Sequence, residues 1–257
     1  MLSITSAQLN LWLAALLWPF IRILGLMIAA PLFGNPRFPV RVRVGLALLI
    51  SIIVAPTLPP LPDVAPDSLA GLGIFAQQLL IGLAMGLAVR LMFTAVEMAG
   101  ELIGLQMGLG FAVFYDPQHG GQIPVIGQFL GLVAMLAFLA MNGHLLVLSA
   151  LVDSFRVMPI AATTVDPGVW KMIAGWGSKI FYSALLLALP VIAALLTANL
   201  ALGVLTRAAP QLNVFAVGFP ITLIIGFGAL LLSLPYFTPV FERLLHESVG
   251  LMLSFQP

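Results

Sequence analysis

Met107-Gly108-Leu109-Gly110-Phe111-Ala112-Val113-Phe114-Tyr115-Asp116-Pro117-Gln118-His119-Gly120-Gly121-Gln122-Ile123-Pro124 interrupts an oily, otherwise helix-compatible sequence. The stretch is apolar and aromatic, yet its four glycines and two prolines unfit it for a regular helix. Strongly hydrophobic segments flank it on both sides. Irregular backbone cannot face lipid, because its N–H and C=O groups would lack partners there. The stretch must therefore lie inside protein, line a cavity or sit outside the bilayer. A greasy loop that can move and fill a hole points to a plug or gate. Gly108, Gly110, Gly120 and Gly121 supply backbone freedom, and Phe111, Phe114 and Tyr115 can fill an apolar constriction.

Outward from the loop, composition sets the class. Hydrophobic residues make up 61% of the chain and charged residues only 7%, and the mean hydropathy is +1.16. A water-soluble domain needs far more charge to cover its surface, so this is an integral membrane protein. The net charge of +1 gives no basic footprint for nucleic acid. The absence of cysteine excludes disulfides, thiolate metal sites and cysteine nucleophiles. Met1 to Asn10 carries no Lys or Arg, so Leu11–Phe33 reads as a retained helix rather than a cleaved signal.

Six apolar blocks reach the ~20-residue length a bilayer requires: Leu11–Phe33, Val40–Leu58, Leu69–Phe93, Ile126–Leu151, Ile180–Leu205 and Val214–Tyr236. The expected fold is all-α, about six long hydrophobic helices in hairpins around the irregular loop. Helix-compatible sequence continues past Phe93 to Gln106. A helix over Leu69–Gln106 would span ~55 Å against a ~30 Å hydrocarbon core, so it must break or extend beyond the membrane. Gly82 and Gly86, then Gly100, Gly104 and Gly108, recur every fourth residue and allow close backbone approach, within the subunit or between subunits. Arg37, Arg41 and Arg43 in one turn and Arg207 in another are expected on the cytoplasmic side, although Lys171 and Lys179 then fall outside.

Few polar residues interrupt the apolar blocks. Arg22 lies mid-block and needs a partner, for which Glu97, Glu101 and Asp153 are the available acids. Such a group is a helix-locking ion pair or lies outside the hydrocarbon, or else serves a charge relay or a substrate contact. Glu97 and Glu101 share one helix face and could bind protons or cations, face water, or pair with Arg22 or Arg90. Asn142-Gly143-His144 places a lone histidine in the fourth block; it could titrate, but hydrogen-bonded packing is the plainer reading. With no second histidine beside it, no metal site is indicated. No Walker, dinucleotide-binding or HExxH pattern occurs, and Ser178 has no base at hand, so no enzyme activity and no cofactor are expected. Three classes remain: a polypeptide-channel subunit closed by the 107–124 loop, a small-molecule secondary transporter, and a membrane enzyme. The second predicts paired repeats and the third clustered catalytic groups, neither of which is found, so the first fits best and the transporter stays as an alternative.

Longer motifs narrow the class. Pro19-Phe20-Ile21-Arg22, Ala30-Pro31-Leu32-Phe33-Gly34 and Pro39-Val40-Arg41-Val42-Arg43 resemble the opening of the FliR family, the R subunits of the flagellar type III export gate. The resemblance continues through Glu97, Gly100, Gln106-Met107-Gly108, Asp116-Pro117, Asn142-Gly143-His144-Leu145 and Asp153-Ser154-Phe155. Its most specific piece is Arg207-Ala208-Ala209-Pro210-Gln211-Leu212-Asn213-Val214-Phe215 with Gly218-Phe219-Pro220. It spans about Leu11 to Glu247.

The resemblance implies a single membrane domain over 1–257, in which 1–157 is P-like and carries the plug loop 107–124, and 158–257 is a linker plus a Q-like hairpin. It implies assembly with P and Q subunits and the A-type and B-type export components. Unfolded flagellar proteins would cross the bacterial inner membrane through the gate at the flagellar basal body, with the loop closing the pore. Helices of such an assembly can be buried against P and Q subunits rather than lipid. Arg207, Pro210, Gln211 and Asn213 would form the cytoplasmic tip of the hairpin. The equivalent subunit of a virulence injectisome shares these motifs and is the alternative; the wording Pro210-Gln211-Leu212-Asn213 leans flagellar.

Overall fold

A computed structural model describes residues 6–35, 38–111, 124–161, 167–209 and 214–254. Among these, every regular element is helical: α1 Ser6–Ala29, α2 Pro31–Gly34, α3 Val40–Val54, α4 Leu69–Gln106, α5 Val125–Ala140, α6 Gly143–Val157, α7 Pro167–Ala208 and α8 Val214–Leu253. Short 3-10 turns occupy Ala55–Thr57 and Leu109–Phe111. Five helices are long and apolar enough to cross a membrane, or six spans if α5 and α6 count as one.

Local chemistry explains the ends. α1 stops before Pro31, and Ala30 takes the extended conformation (φ −70°, ψ 136°) that a following proline imposes. The Ser68 hydroxyl accepts from the Gly71 N–H at 3.0 Å and so caps the start of α4. α4 has no internal proline and runs unbroken for 38 residues, ~57 Å. The overlong third helix therefore extends rather than breaks. It ends at Gly108, whose φ of 86° is left-handed and open to glycine at little cost.

Four of the expected blocks are redrawn. Leu11–Phe33 starts earlier, at Ser6, and breaks at Ala30 into α1 and α2. Ile126–Leu151 is not one helix: it breaks at Met141-Asn142, where Asn142 adopts φ 56°. Asparagine is among the few residues that tolerate this region. α7 starts at Pro167, well before Ile180, with proline in the helix-compatible first position. α8 runs on past Tyr236 to Leu253, through Pro220, Pro235 and Pro239. Apolar surroundings keep a helix going where proline would end one in water.

The chain divides into two compact units. One comprises Met1–Leu91, Met141–Trp176 and Leu245–Pro257; the other comprises Met92–Ala140 and Gly177–Leu244. In the first, α1 and α4 lie backbone to backbone along a glycine seam. A Cβ added at Gly82 would stand 2.1 Å from the Arg22 carbonyl oxygen, and one at Gly86 2.5 Å from that of Leu26. In the second, α4 meets α5 at Gly100 and Gly127, where a Cβ on Gly100 would fall 2.5 Å from the Gly127 Cα. The small-residue pattern thus packs helices of this chain against each other. Gly104 makes only ordinary contact with Ile126, and Gly108 lies beyond the helix.

Candidate functional site

Arg22 is fully buried, beside the equally buried Trp18 and Phe155. Among the described residues its guanidinium meets no carboxylate; the expected ion pair with Glu97, Glu101 or Asp153 is replaced by neutral acceptors. Nε donates to Gln78 Oε1 at 2.7 Å. One terminal nitrogen donates to the Ser154 carbonyl at 3.1 Å and the Ser154 hydroxyl at 3.2 Å. The other donates to the Met158 carbonyl at 2.9 Å. Ser154 and Met158 lie at the carboxyl end of α6, which carries the negative end of the macrodipole; the Ser154 carbonyl already accepts from the Met158 N–H. Arg22 therefore caps α6 from inside the protein, and the helix end stands in for a counter-ion. The Phe155 ring completes the cradle, with the guanidinium carbon 4.3 Å from its centroid. The five donors of the arginine fork suit such a multi-acceptor site better than an ammonium would.

The remaining polar candidates are scattered. Asp153 is exposed and pairs with Arg156 at 3.9 Å, a surface contact worth little. Asn142 sits at the α5–α6 break, and its carbonyl accepts from the Leu145 and Leu146 N–H groups at 2.9 and 3.2 Å. His144 is half-buried, and its Nδ1 is buried with no partner among the described residues, so the hydrogen-bonded packing expected of it is not made at that atom. Glu97 and Glu101 are exposed and share the α4 face that overlies the α5 glycines. A Cβ on Gly131 would stand 3.1 Å from Glu97 Cγ, and one on Gly127 3.3 Å from Glu101 Cγ. No three metal-binding side chains cluster among the described residues.

The root of the 107–124 loop is firmly placed in the second unit. Met107 is completely buried. Its carbonyl lies 3.3 Å from the Thr222 hydroxyl, which shares its one proton with the nearer Phe219 carbonyl at 2.9 Å. Its side chain fills the notch left by Gly226, where a Cβ would come within 2.6 Å of Met107 Cγ. Gly108 then turns the chain, and Gly110 follows in the 3-10 turn with Phe111. Phe114, Tyr115, Asp116, Pro117, Gly120 and Gly121 lie outside the described residues, as does the Phe111 side chain. Arg207 is exposed in the last turn of α7. Pro210, Gln211 and Asn213 lie outside the described residues.

Sequence reasoning overlooked Gln78, the Ser154 and Met158 carbonyls, and the Thr222–Gly226 face. Gln78 carries a signal, an amide within an apolar block. Backbone acceptors and a glycine notch carry none, because any residue type supplies a carbonyl and a notch exists only once two helices meet.

Comparison with known proteins agrees with this architecture. A family model described as bacterial export proteins, family 1, matches residues 13–248. The flagellar biosynthetic protein FliR of Pectobacterium carotovorum subsp. carotovorum is 46% identical over 98% of this chain and 96% of its own. That of Escherichia coli (strain K12) is 43% identical over the same shares. That of Bacillus subtilis (strain 168) is 37% identical over 83% of each chain. With a helical, multi-span architecture and matches along nearly its whole length, the chain belongs to the bacterial export proteins of family 1, the FliR family of flagellar type III export-gate components.

Proposed function

We propose that this chain joins P-type and Q-type subunits in the bacterial inner membrane to form the conduit for unfolded flagellar proteins, and that its 107–124 loop stoppers that conduit at rest. Residues 1–157 take the P-like role, and residues 158–257 supply the linker and the Q-like hairpin. The A-type and B-type export components are the cytoplasmic neighbours. The observation that carries the reading is the fixed root of the loop: Met107 is buried and hydrogen-bonded, so an oily segment leaves a rigid support at a defined point.

The exposed surface supports assembly with other helices. Only 22% of the apolar span of α7 and 28% of that of α8 is buried within this chain. Leu200, Val204, Ile224, Leu231 and Leu232 stand more than two-thirds exposed. Isolated in water these faces would aggregate; lipid or sister subunits must cover them.

Deletion of Gly110–Gly121 tests the plug. The expected result is a gate that assembles but leaks, seen as ion conductance in cells that export nothing. A deletion gate as tight as the wild type would remove the plug from the mechanism. The hairpin reading has its own test. The chain has no cysteine, so Arg207→Cys introduces a single thiol. That thiol is expected to crosslink to the Q-type subunit or the B-type component, and exclusive labelling from the periplasmic side would contradict the assignment.

A further inference from the structure

α4 and α8 touch at two levels in the second unit, and the two helices are mechanically unlike. At one level Phe93 packs edge-to-face on Phe241, with ring centroids 5.8 Å apart, and also on Phe138 at 5.5 Å. At the other level Met107 fills the Gly226 notch and Thr222 holds the Met107 carbonyl. The contacts run in opposite order along the two helices, so α4 and α8 are antiparallel here. Between Phe93 and Met107, α4 has no proline and is a continuous rod. Between Gly226 and Phe241, α8 carries Pro235 and Pro239. Each lacks the N–H that would bond a carbonyl one turn back, so α8 is weakened at that point. One helix is a strut and the other is jointed between its two attachments.

We infer that Met107 in the Gly226 notch is a releasable latch, and that the Pro235–Pro239 segment of α8 is the joint on which it opens. The aromatic cluster at Phe241 holds one end of α8 while the segment bearing Thr222 and Gly226 swings away from Met107. The contact suits release. A methionine side chain is unbranched and adaptable, a glycine notch holds it by shape alone, and the Thr222 contact at 3.3 Å is longer than a normal O–H···O bond and competes with the nearer Phe219 carbonyl at 2.9 Å. The buried stripe of α8 (Thr222, Gly226, Leu230, Ser233) has no charge to lock it down. Since Met107 and Gly108 are the root from which the loop departs, opening the latch would free that root. This functional consequence rests on the plug reading above.

The absence of cysteine makes the latch testable in the full gate. A Cβ at Gly226 would sit 2.6 Å from Met107 Cγ. One C–C bond of about 1.5 Å more bounds the Cβ–Cβ separation, and that bound lies in the range a disulfide accepts. Met107→Cys with Gly226→Cys, in membranes treated with a mild oxidant, is expected to form an intramolecular bond that protects both thiols from maleimide labelling. The expected result is an about tenfold or greater loss of exported flagellar subunits in the oxidised state, because the S–S bond breaks only when a thiolate or reductant attacks it and the chain has no other thiol. The ion barrier stays intact, and a reductant restores export. Oxidised gates that export like reduced ones would overturn the latch, as would failure of the two thiols to bond. Pro235→Ala with Pro239→Ala stiffens α8 without touching the latch; it is expected to reduce export several-fold in gates that assemble normally, and unchanged export would overturn the joint. The outcomes also separate this proposal from the plug. A tight deletion gate combined with a blocked crosslink gate rejects the plug and keeps the latch, whereas a leaking deletion gate with an active crosslink gate does the reverse.

Discussion

Arg22→Met is expected to destabilise the chain by about 3 kcal/mol, a loss comparable to breaking a buried charged cluster. Two opposed effects decide the sign. Methionine nearly fills the arginine volume and removes a buried cation, whose desolvation costs several kcal/mol. Against this, the substitution strips the donor from Gln78 Oε1 and from the Met158 carbonyl, and each buried acceptor left without a partner costs about 1–3 kcal/mol. It also removes the positive charge from the end of α6, worth up to about 2 kcal/mol when partly buried, and the Phe155 contact, worth a similar amount when desolvated. The second group of effects is larger, because the site is built of acceptors rather than a carboxylate that could protonate. The Ser154 carbonyl suffers less, since the Met158 N–H also bonds it at 2.8 Å. Thermal unfolding of the purified gate in detergent, read together with motility, checks the outcome. Arg22→Lys should fall between the two, since an ammonium keeps the charge but cannot fork across three acceptor residues or stack on the ring. A methionine variant as stable as the wild type would mean that desolvation dominates and that Arg22 is not a cap.

Gly82→Ala is expected to cost at least as much, despite adding a single methyl group. The new Cβ would stand 2.1 Å from the Arg22 carbonyl oxygen and 3.0 Å from the Leu26 nitrogen. Both are helix backbone, which cannot rotate aside as a side-chain end can. α1 and α4 must separate, and overpacking of this kind costs about 1–3 kcal/mol or more. The displaced carbonyl belongs to Arg22 itself, so the movement also disturbs the cap on α6. The double variant Arg22→Met, Gly82→Ala should therefore cost less than the sum of the single ones, whereas distant sites add. Gly45→Ala is the control. Nothing lies within 4 Å of its Cβ position, so the chain itself should be unharmed or slightly stabilised by the gain in helix propensity. Equal losses at Gly45 and Gly82 would dismiss the seam as the cause.

Particular residues show where sequence reasoning succeeds. The helices themselves were legible, because long apolar runs permit little else in a membrane. The end of α4 beside Met107 was legible from the glycines that follow it, and the buried arginine from its place within an apolar block. The ends of helices were less so. Pro235 and Pro239 look like terminators to a rule calibrated on water-exposed helices, and Asn142-Gly143 is too short an interruption to register in average hydropathy. The partners of Arg22 were hidden for a different reason: a search for an acid is the natural one, and the carbonyl end of a helix carries a partial negative charge that no residue letter records. The glycine repeats promised a close helix contact, but only the fold could assign Gly82 to α1 and Gly100 to α5.

The left-handed turn at Asn142 has a topological consequence. α5 has 16 residues and α6 has 15, so each is about 22–24 Å long and falls short of a ~30 Å hydrocarbon layer. Only the two together can traverse it. If they do, the crossings by α3, α4, the α5–α6 pair and α7 make an even number, and Arg207 emerges in the same compartment as Arg41 and Arg43. A return to the side of entry would make the number odd and exchange Arg207 for Lys171 and Lys179 in that compartment. A hairpin tip in the same compartment as Arg41 and Arg43 therefore demands that the pair penetrate fully, and the fate of this bent pair sets the sidedness of everything downstream.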